Sequence, residues 1–150
     1  MISSSINKSN HKLILHCYNN IPTSKYASKL MEFTQQNANQ NSVLSVDDLS
    51  VSLSHTKLKT PCFISANRSD ELSISTISEI DKEFLFELST KDPLDLLIIG
   101  TGEIPIFLSP KQQVAISEFG LGVECMNNSS ACSSFNLLLS DLRKVGLLVL

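Results

Sequence analysis

The sequence predicts an α/β fold: a single three-layer domain with a central mixed, mainly parallel sheet, helices against it, and an N-terminal β-hairpin. Three observations predict it. From Ile77 onward, segments with helical spacing alternate with short apolar segments of strand length, a pattern that requires crossover connections and parallel strands. Leu94 to Ile99 is apolar apart from Asp95, as expected of a central strand covered on both faces. Upstream, Val43–Val46 and Leu49–Leu53 flank Asp47-Asp48 in the pattern of a hairpin, with Leu49, Val51 and Leu53 expected on its buried face.

The remaining elements follow in chain order. Cys62 to Ser65 comes after a proline and before a polar stretch, which suits a third strand. Thr76-Ile77-Ser78-Glu79 has the form of a capping box, and Ile77, Ile80, Phe84, Leu85 and Leu88 then fall at helical spacing. This predicts one helix from Ile77 to Leu88, ended by Pro93. Gly100-Thr101-Gly102 turns the chain after the apolar strand. Ser109, Pro110 and Gln112 supply an N-cap, a proline suited to the first helical position and a reciprocal cap, and Gly120 supplies the stop. Gly122 to Cys125 reads as a short strand. Ala131, Phe135, Leu138, Leu139 and Leu142 mark an amphipathic helix, and Val145 to Leu150 a last strand.

Residues 1–30 differ from the rest. They hold four lysines (Lys8, Lys12, Lys25, Lys29) and no aspartate or glutamate, yet no arginine, so they do not fit a mitochondrial transit peptide. Leu13-Ile14-Leu15 is too short for the apolar stretch of a secretory signal. The expectation is an atypical leader, disordered or not translated in the natural protein, with Met31 as the natural start and 31–150 as the single domain. Tyr26, Leu30 and Phe33 have the spacing of a short helix.

Composition narrows the function. A chain of 150 residues fits one core, and a hydrophobic fraction of 42% with 18% charged residues is that of a folded globular protein. A net charge of -3 and the absence of a Lys/Arg stripe argue against nucleic acid as a partner. No apolar run approaches the roughly 20 residues of a membrane-spanning helix. The four cysteines (Cys17, Cys62, Cys125, Cys132) form no CxxC pair and no zinc-site spacing, so reduced thiols, no metal and no cofactor are expected.

Chemistry concentrates in two stretches. Gly100-Thr101-Gly102 follows a buried strand, where open α/β sheets place ligands. Phe107 and Leu108 stand where a dinucleotide fingerprint would open a helix, so a structural turn is the simpler reading. The stretch "GVECMNNSSACSSFN", Gly122 to Asn136, carries Glu124, Asn128, Ser134 and Asn136. Glu124 alternates with Val123 and Cys125, which puts it opposite them on a short central strand, either in a cleft or paired with a cation such as Arg143. Asn128, Ser129 or Ser130 can cap the following helix, or the same end can hold a small anion. Asn136, beside the core-facing Phe135, can tie the helix to a neighbouring loop. Nucleophilic catalysis by Cys125, Cys132 or the serines needs a base, and the only histidines are His11, His16 and His55, all remote in sequence. Cys125 and Cys132 can also be read as a redox-sensing pair.

"DLLIIGTGE" (Asp95 to Glu103), "GVECMNNSSACSSFNLLLSDLRKV" (Gly122 to Val145) and "SVLSVDDLSVSLSHTKLKTPCFIS" (Ser42 to Ser65) resemble the small domain of mitochondrial complex I assembly factor 3 and its bacterial and archaeal relatives, over about residues 31–150. The resemblance is carried by Gly100, Thr101, Gly102, Gly122, Glu124, Met126, Ala131, Ser134, Phe135 and Asn136, with Arg143 at a basic position near the end of the helix. The chain departs from that family's usual Thr at Asn128, Arg at Ser133 and Tyr at Phe135. The resemblance implies a three-layer α/β domain, no catalytic activity, and action through protein partners, as in assembly of a respiratory or other membrane-associated complex. Its expected partners are respiratory-complex subunits or assembly factors, and its location is cytoplasmic in a bacterium or mitochondrial in a eukaryote.

The expected working surface is a cleft between Gly100–Gly102 and Glu124–Asn136, lined by Gly100, Thr101, Gly102, Glu124, Asn128, Ser134, Asn136 and Arg143. The alternative is a small-molecule or anion-binding module, conceivably an enzyme, built on the same turn and Glu124.

Overall fold

The computed structural model describes residues 31–32 and 39–150. The leader 1–30 and the helix expected through Tyr26, Leu30 and Phe33 lie outside the described residues. In chain order the elements are β1 (Met31–Glu32), β2 (Val43–Val46), β3 (Ser50–Leu53), β4 (Lys57–Lys59), β5 (Cys62–Ser65), β6 (Ser69–Glu71), a 3-10 turn (Ile77–Glu79), α1 (Lys82–Lys91), β7 (Leu96–Gly100), α2 (Pro110–Ser117), β8 (Gly122–Met126), α3 (Asn128–Ser140) and β9 (Val145–Val149).

They form one α/β domain around a five-stranded sheet of order β6-β5-β9-β7-β8. β8, β7 and β9 run parallel, whereas β5 is antiparallel to both β9 and β6. The sheet is thus mixed, and its parallel half is the crossover part expected from Ile77 onward. A second, antiparallel sheet of order β1-β2-β3-β4 holds the expected hairpin.

Two cores lie on opposite faces of the central sheet. On one face α3 contributes Ala131, Cys132, Phe135 and Leu139, which meet Ile64, Ile98 and Leu147 of the sheet and Val43, Val51 and Leu53 of the second sheet. On the other, Ile80, Leu85, Leu88 and Ile116 meet Phe63, Leu97, Ile99 and Leu148. Leu97, Ile98 and Ile99 therefore alternate between the cores, which is why β7 must be apolar throughout.

Three expectations are corrected in detail. Leu49 is 77% exposed and does not share the buried face of Val51 and Leu53. The turn takes it: Asp47 Oδ1 accepts from the Leu49 amide at 2.9 Å, and β3 begins only at Ser50. The helix expected from Ile77 to Leu88 is two pieces. Glu79 caps the start of the first by accepting from the Thr76 amide at 3.0 Å, the Ile80 amide ends that turn on Ile77 O at 3.2 Å, and Asp81 caps a new helix by accepting from the Phe84 amide at 2.8 Å. Ile80, extended between them, swings into the core. Finally, the Gly122–Met126 strand is an edge and not a central strand. The short strands β4 and β6 were not anticipated; each is three residues long and depends on pairing with β3 or β5 rather than on a pattern of its own.

The helix start predicted at Ser109 is present, whereas the cap of α3, Asn127, lies one residue before the earliest of its predicted caps. Ser109 and Gln112 cap each other, with Pro110 opening α2. The end of α3 is less ordinary. The Arg143 amide reaches Leu138 O at 3.0 Å and the Leu142 amide reaches Leu139 O at 3.1 Å, the two bonds of a Schellman ending. The residue that must adopt positive φ there is a leucine, Leu142 at 58°, whose side chain is 91% exposed. Leu142→Gly removes that backbone strain and loses little burial. It is expected to stabilise the domain by about 1 kcal/mol, read as a higher urea midpoint with an unchanged slope.

Candidate functional site

The Gly-Thr-Gly turn and the start of α3 are in direct contact. The Asn128 carboxamide Oδ1 accepts from the Gly102 amide at 2.9 Å, while the Asn128 amide donates to Gly102 O at 2.8 Å. This reciprocal clasp holds Gly102 at φ 91°, a conformation that favours glycine. Gly100 is needed for a different reason. A Cβ there would lie 2.5 Å from Asn128 Oδ1 and 3.2 Å from the Ala131 Cβ, so only a residue without a side chain lets α3 approach the end of β7.

Thr101 organises the loop that follows. Its amide donates to Met126 O at 3.1 Å; its hydroxyl donates to Ile104 O at 3.0 Å and accepts from the Ile106 amide at 2.8 Å. The loop is thereby held out from the sheet with Ile104, Ile106 and Phe107 at 74%, 53% and 69% exposure. Leu108, by contrast, is buried in the α2-side core. Beside this loop and the open edge of β8 runs a groove of about 370 Å³, lined by Phe107, Leu108, Ile116, Leu121, Val123 and Cys125, among others.

The sequence-predicted residues separate into distinct places. Gly100, Thr101, Gly102 and Asn128 form one cluster, but it is closed by its own hydrogen bonds where a cleft was expected. Asn128 does not cap α3. Asn127 does, accepting from the Ser130 amide at 2.8 Å, because the Asn128 side chain is turned to the glycine turn. Ser134 donates to Met126 Sδ at 3.6 Å and anchors helix to strand. Asn136 forms a two-point bond with β2: Val43 N donates to its Oδ1 at 2.8 Å and its Nδ2 donates to Val43 O at 2.9 Å. This carboxamide occupies the position a neighbouring strand's peptide group would take.

Glu124 and Arg143 do not form an ion pair among the described residues. Glu124 is exposed on the edge strand. Arg143 follows α3 at its far end, a helix of 13 residues and therefore about 20 Å from the glycine turn. There it lines a separate cavity of about 270 Å³ with Asp92, Ser65 and Lys144. Ser65 Oγ donates to Asp92 Oδ2 at the base of that cavity. Sequence reasoning singled out neither Asp92 nor the apolar loop. The loop's signal was present in Ile104-Pro105-Ile106-Phe107, a run of apolar residues placed between a glycine turn and a capped helix start.

Cys125 and Cys132 cannot act as a pair, because they belong to cores on opposite faces of the sheet. Burial pushes the Cys132 and Cys62 thiols up to about 12, helped at Cys132 by the neighbouring Cys62 and at Cys62 by the Glu71 charge. Cys125 is only half-buried; burial raises it too, opposed by a hydrogen bond to the Leu108 backbone. At pH 8 about one thiol in ten thousand would then be ionised at Cys62 and Cys132. In a Cys17→Ser background, a disulfide reagent at pH 8 is expected to modify Cys125 slowly and the other two only after denaturation. Equal labelling of all three in the native protein would contradict this. Among the described residues no three His, Cys, Asp or Glu side chains come together as metal ligands would. No helix among them is long and apolar enough to cross a membrane.

A mixed sheet carrying α3 and an antiparallel sheet on one face, with two helices on the other, is a fold this chain shares with proteins of known structure. The solution structure of a Bordetella pertussis protein described as a Mth938-like domain matches with a TM-score of 0.63 at 19% identity, over 80% of this chain and 91% of the other. The crystal structure of a Bordetella parapertussis protein gives 0.66 at 20% identity, over 75% and 97%. An NMR structure from Xanthomonas campestris gives 0.63 at 20% identity, over 71% and 81%. At these identities the likeness is one of fold. The chain belongs to the family described as Protein of unknown function (DUF498/DUF598), whose model matches residues 43–150. No functionally curated protein matches the chain in sequence.

Proposed function

We propose that the protein acts without catalysis, by binding a protein partner through the loop Glu103–Phe107 at the glycine-turn end of the domain. The observation that carries this reading is the exposure of Ile104, Ile106 and Phe107 on a loop whose backbone is already pinned by Thr101. Neighbouring exposed apolar side chains, rimmed by polar residues, mark interaction sites in globular proteins. A pre-ordered loop also loses less entropy on binding than a mobile one. The resemblance to complex I assembly factor 3 supplies the class of partner: subunits or assembly factors of a respiratory or other membrane-associated complex.

The anion-binding alternative finds less support at the same place. The Gly102 amide is taken by Asn128 and the Ser130 amide by Asn127, so donors that would cradle an anion are already engaged.

The double variant Ile104→Ser, Phe107→Ser tests the reading, since exposed substitutions of this kind leave stability nearly unchanged. Quantitative cross-linking in cells is expected to recover a defined partner with the parent chain and at least tenfold less with the variant. Recovery that is indifferent to the variant would overturn the proposal. So would a saturable shift in melting with phosphates, nucleotides or carboxylates, where a ligand at a hundred times its Kd adds about 2.7 kcal/mol.

A further inference from the structure

We infer that β8 is a docking edge, on which an extended segment of the partner, alternating apolar and basic residues, adds as a sixth strand of the central sheet. The inference rests on the partner reading above and assigns the chemistry of what binds.

The backbone of β8 supplies the first argument. The Gly122 amide donates to Asp95 O and Met126 O accepts from the Thr101 amide, so residues 122 and 126 turn their main-chain groups toward β7. In a parallel ladder alternate residues bond the same neighbour. Glu124 therefore also bonds β7, and the N–H and C=O groups of Val123 and Cys125 point away from the sheet. Strand order ends at β8, so among the described residues nothing pairs with that edge. Open edges are ordinarily blunted by charged side chains, lysine above all, by proline or by a very short strand, and the one charge on β8 is Glu124, which a basic partner would neutralise. The other edge, β6, is three residues long, whereas β8 has five and contains neither lysine nor proline.

The surroundings supply the second. An added strand would present alternate side chains to opposite faces. On the α2 face they would enter the groove of about 370 Å³ between Phe107, Leu121 and the Val123 and Cys125 side chains, which selects large apolar residues. Glu124 also lines that groove, but alternation with Val123 and Cys125 turns its side chain toward the opposite face, where the added strand would meet a carboxylate that is exposed and without an ion-pair partner among the described residues. Glu103 and Glu118 are also exposed near the two ends of α2 and its loop, so that with Glu124 they outnumber the one exposed lysine there, Lys111, and no lysine, arginine or histidine lines the groove. The field at this edge is acidic, which selects lysine or arginine. A second copy of this chain fits poorly, because two β8 strands pairing antiparallel about Glu124 would oppose two carboxylates.

The probe is a capped peptide, Leu-Lys-Val-Lys-Leu-Lys-Val, titrated into the isotope-labelled full chain. Two further forms carry backbone N-methyl groups at the odd or the even residues, and a fourth has glutamate in place of lysine. The parent peptide is expected to shift and protect the Val123 and Cys125 amides. One methylated form should bind at least tenfold more weakly and the other nearly as well, since only alternate amides face β8. The glutamate form should bind at least tenfold more weakly, and Glu124→Lys should reverse that preference. These comparisons use the parent protein for all but the last step, so a folding defect cannot mimic them.

Equal binding by both methylated forms, or shifts confined to Ile104–Phe107, would overturn strand addition and leave the loop reading standing. Binding at β8 together with cellular recovery indifferent to Ile104→Ser, Ile106→Ser, a loop variant that spares the groove-lining Phe107, would overturn the loop reading alone. No binding at millimolar peptide, or a dimer by light scattering whose Val123 and Cys125 amides are already protected, would also overturn the inference.

Discussion

Asn136→Leu is expected to cost about 2–5 kcal/mol, a large share of the roughly 5–15 kcal/mol by which a domain is stable. Leucine has a similar volume but offers no partner to the two main-chain groups of Val43. Val43 is fully buried, so neither group recovers its bond from water. The loss should be local in origin: amide exchange at Val43 is expected to accelerate before that of β7 or β9. Asn136→Asp is the companion variant. Its carboxylate still accepts from Val43 N but faces Val43 O with a lone pair, so it should be destabilised as well. A loss below about 1 kcal/mol for the leucine variant would show that this two-point bond is dispensable.

The second large effect is expected for Gly100→Ala. The new Cβ would fall 2.5 Å from Asn128 Oδ1, so the carboxamide must leave or α3 must move away from the sheet. Overpacking together with the lost bond to the Gly102 amide is expected to cost about 2–4 kcal/mol. A double-mutant cycle tests the cause. Asn128→Ala removes the colliding oxygen, so Gly100→Ala should cost clearly less in that background, giving a coupling of at least about 1 kcal/mol. Additive losses would place the strain elsewhere, for example against Ala131, 3.2 Å from the same Cβ.

These two residues also indicate how far the sequence could be read. Local chemistry is legible because it acts within a few residues. The Ser109-Pro110-Gln112 start appears where the pattern puts it, α2 ends at Ser117 with Gly120 at φ 76° in the turn beyond, and the apolar β7 lies at Leu96–Gly100 where Leu94 to Ile99 was expected. Asn136 is legible as a tether and Gly100 as part of a structural turn. Their partners are not, because Val43 is 93 residues from Asn136 in sequence. The same limit explains Glu124. Alternation correctly sets it opposite Val123 and Cys125, but no periodicity says whether a strand is central or at an edge. The family model spans residues 43–150, the bulk of the expected domain, but pairing Glu124 with a cation drew Arg143 into a site from which the length of α3 separates it. The exposed loop escaped notice because apolar residues outside a helix or strand period are easily taken for core.

The position of β9 bears on how the protein is made. It is the last strand in sequence, yet it lies between β5 and β7 and pairs with both. Some 80 residues separate the end of β5 from the start of β9, which at about 5–20 residues per second is several seconds of translation. Until β9 emerges, β5 and, once it is made, β7 have no common neighbour, and their apolar faces are open to any chain nearby. A ribosome stalled before Val145 would thus hold a nascent chain with two unpaired inner edges, a natural substrate for a chaperone that binds extended apolar segments.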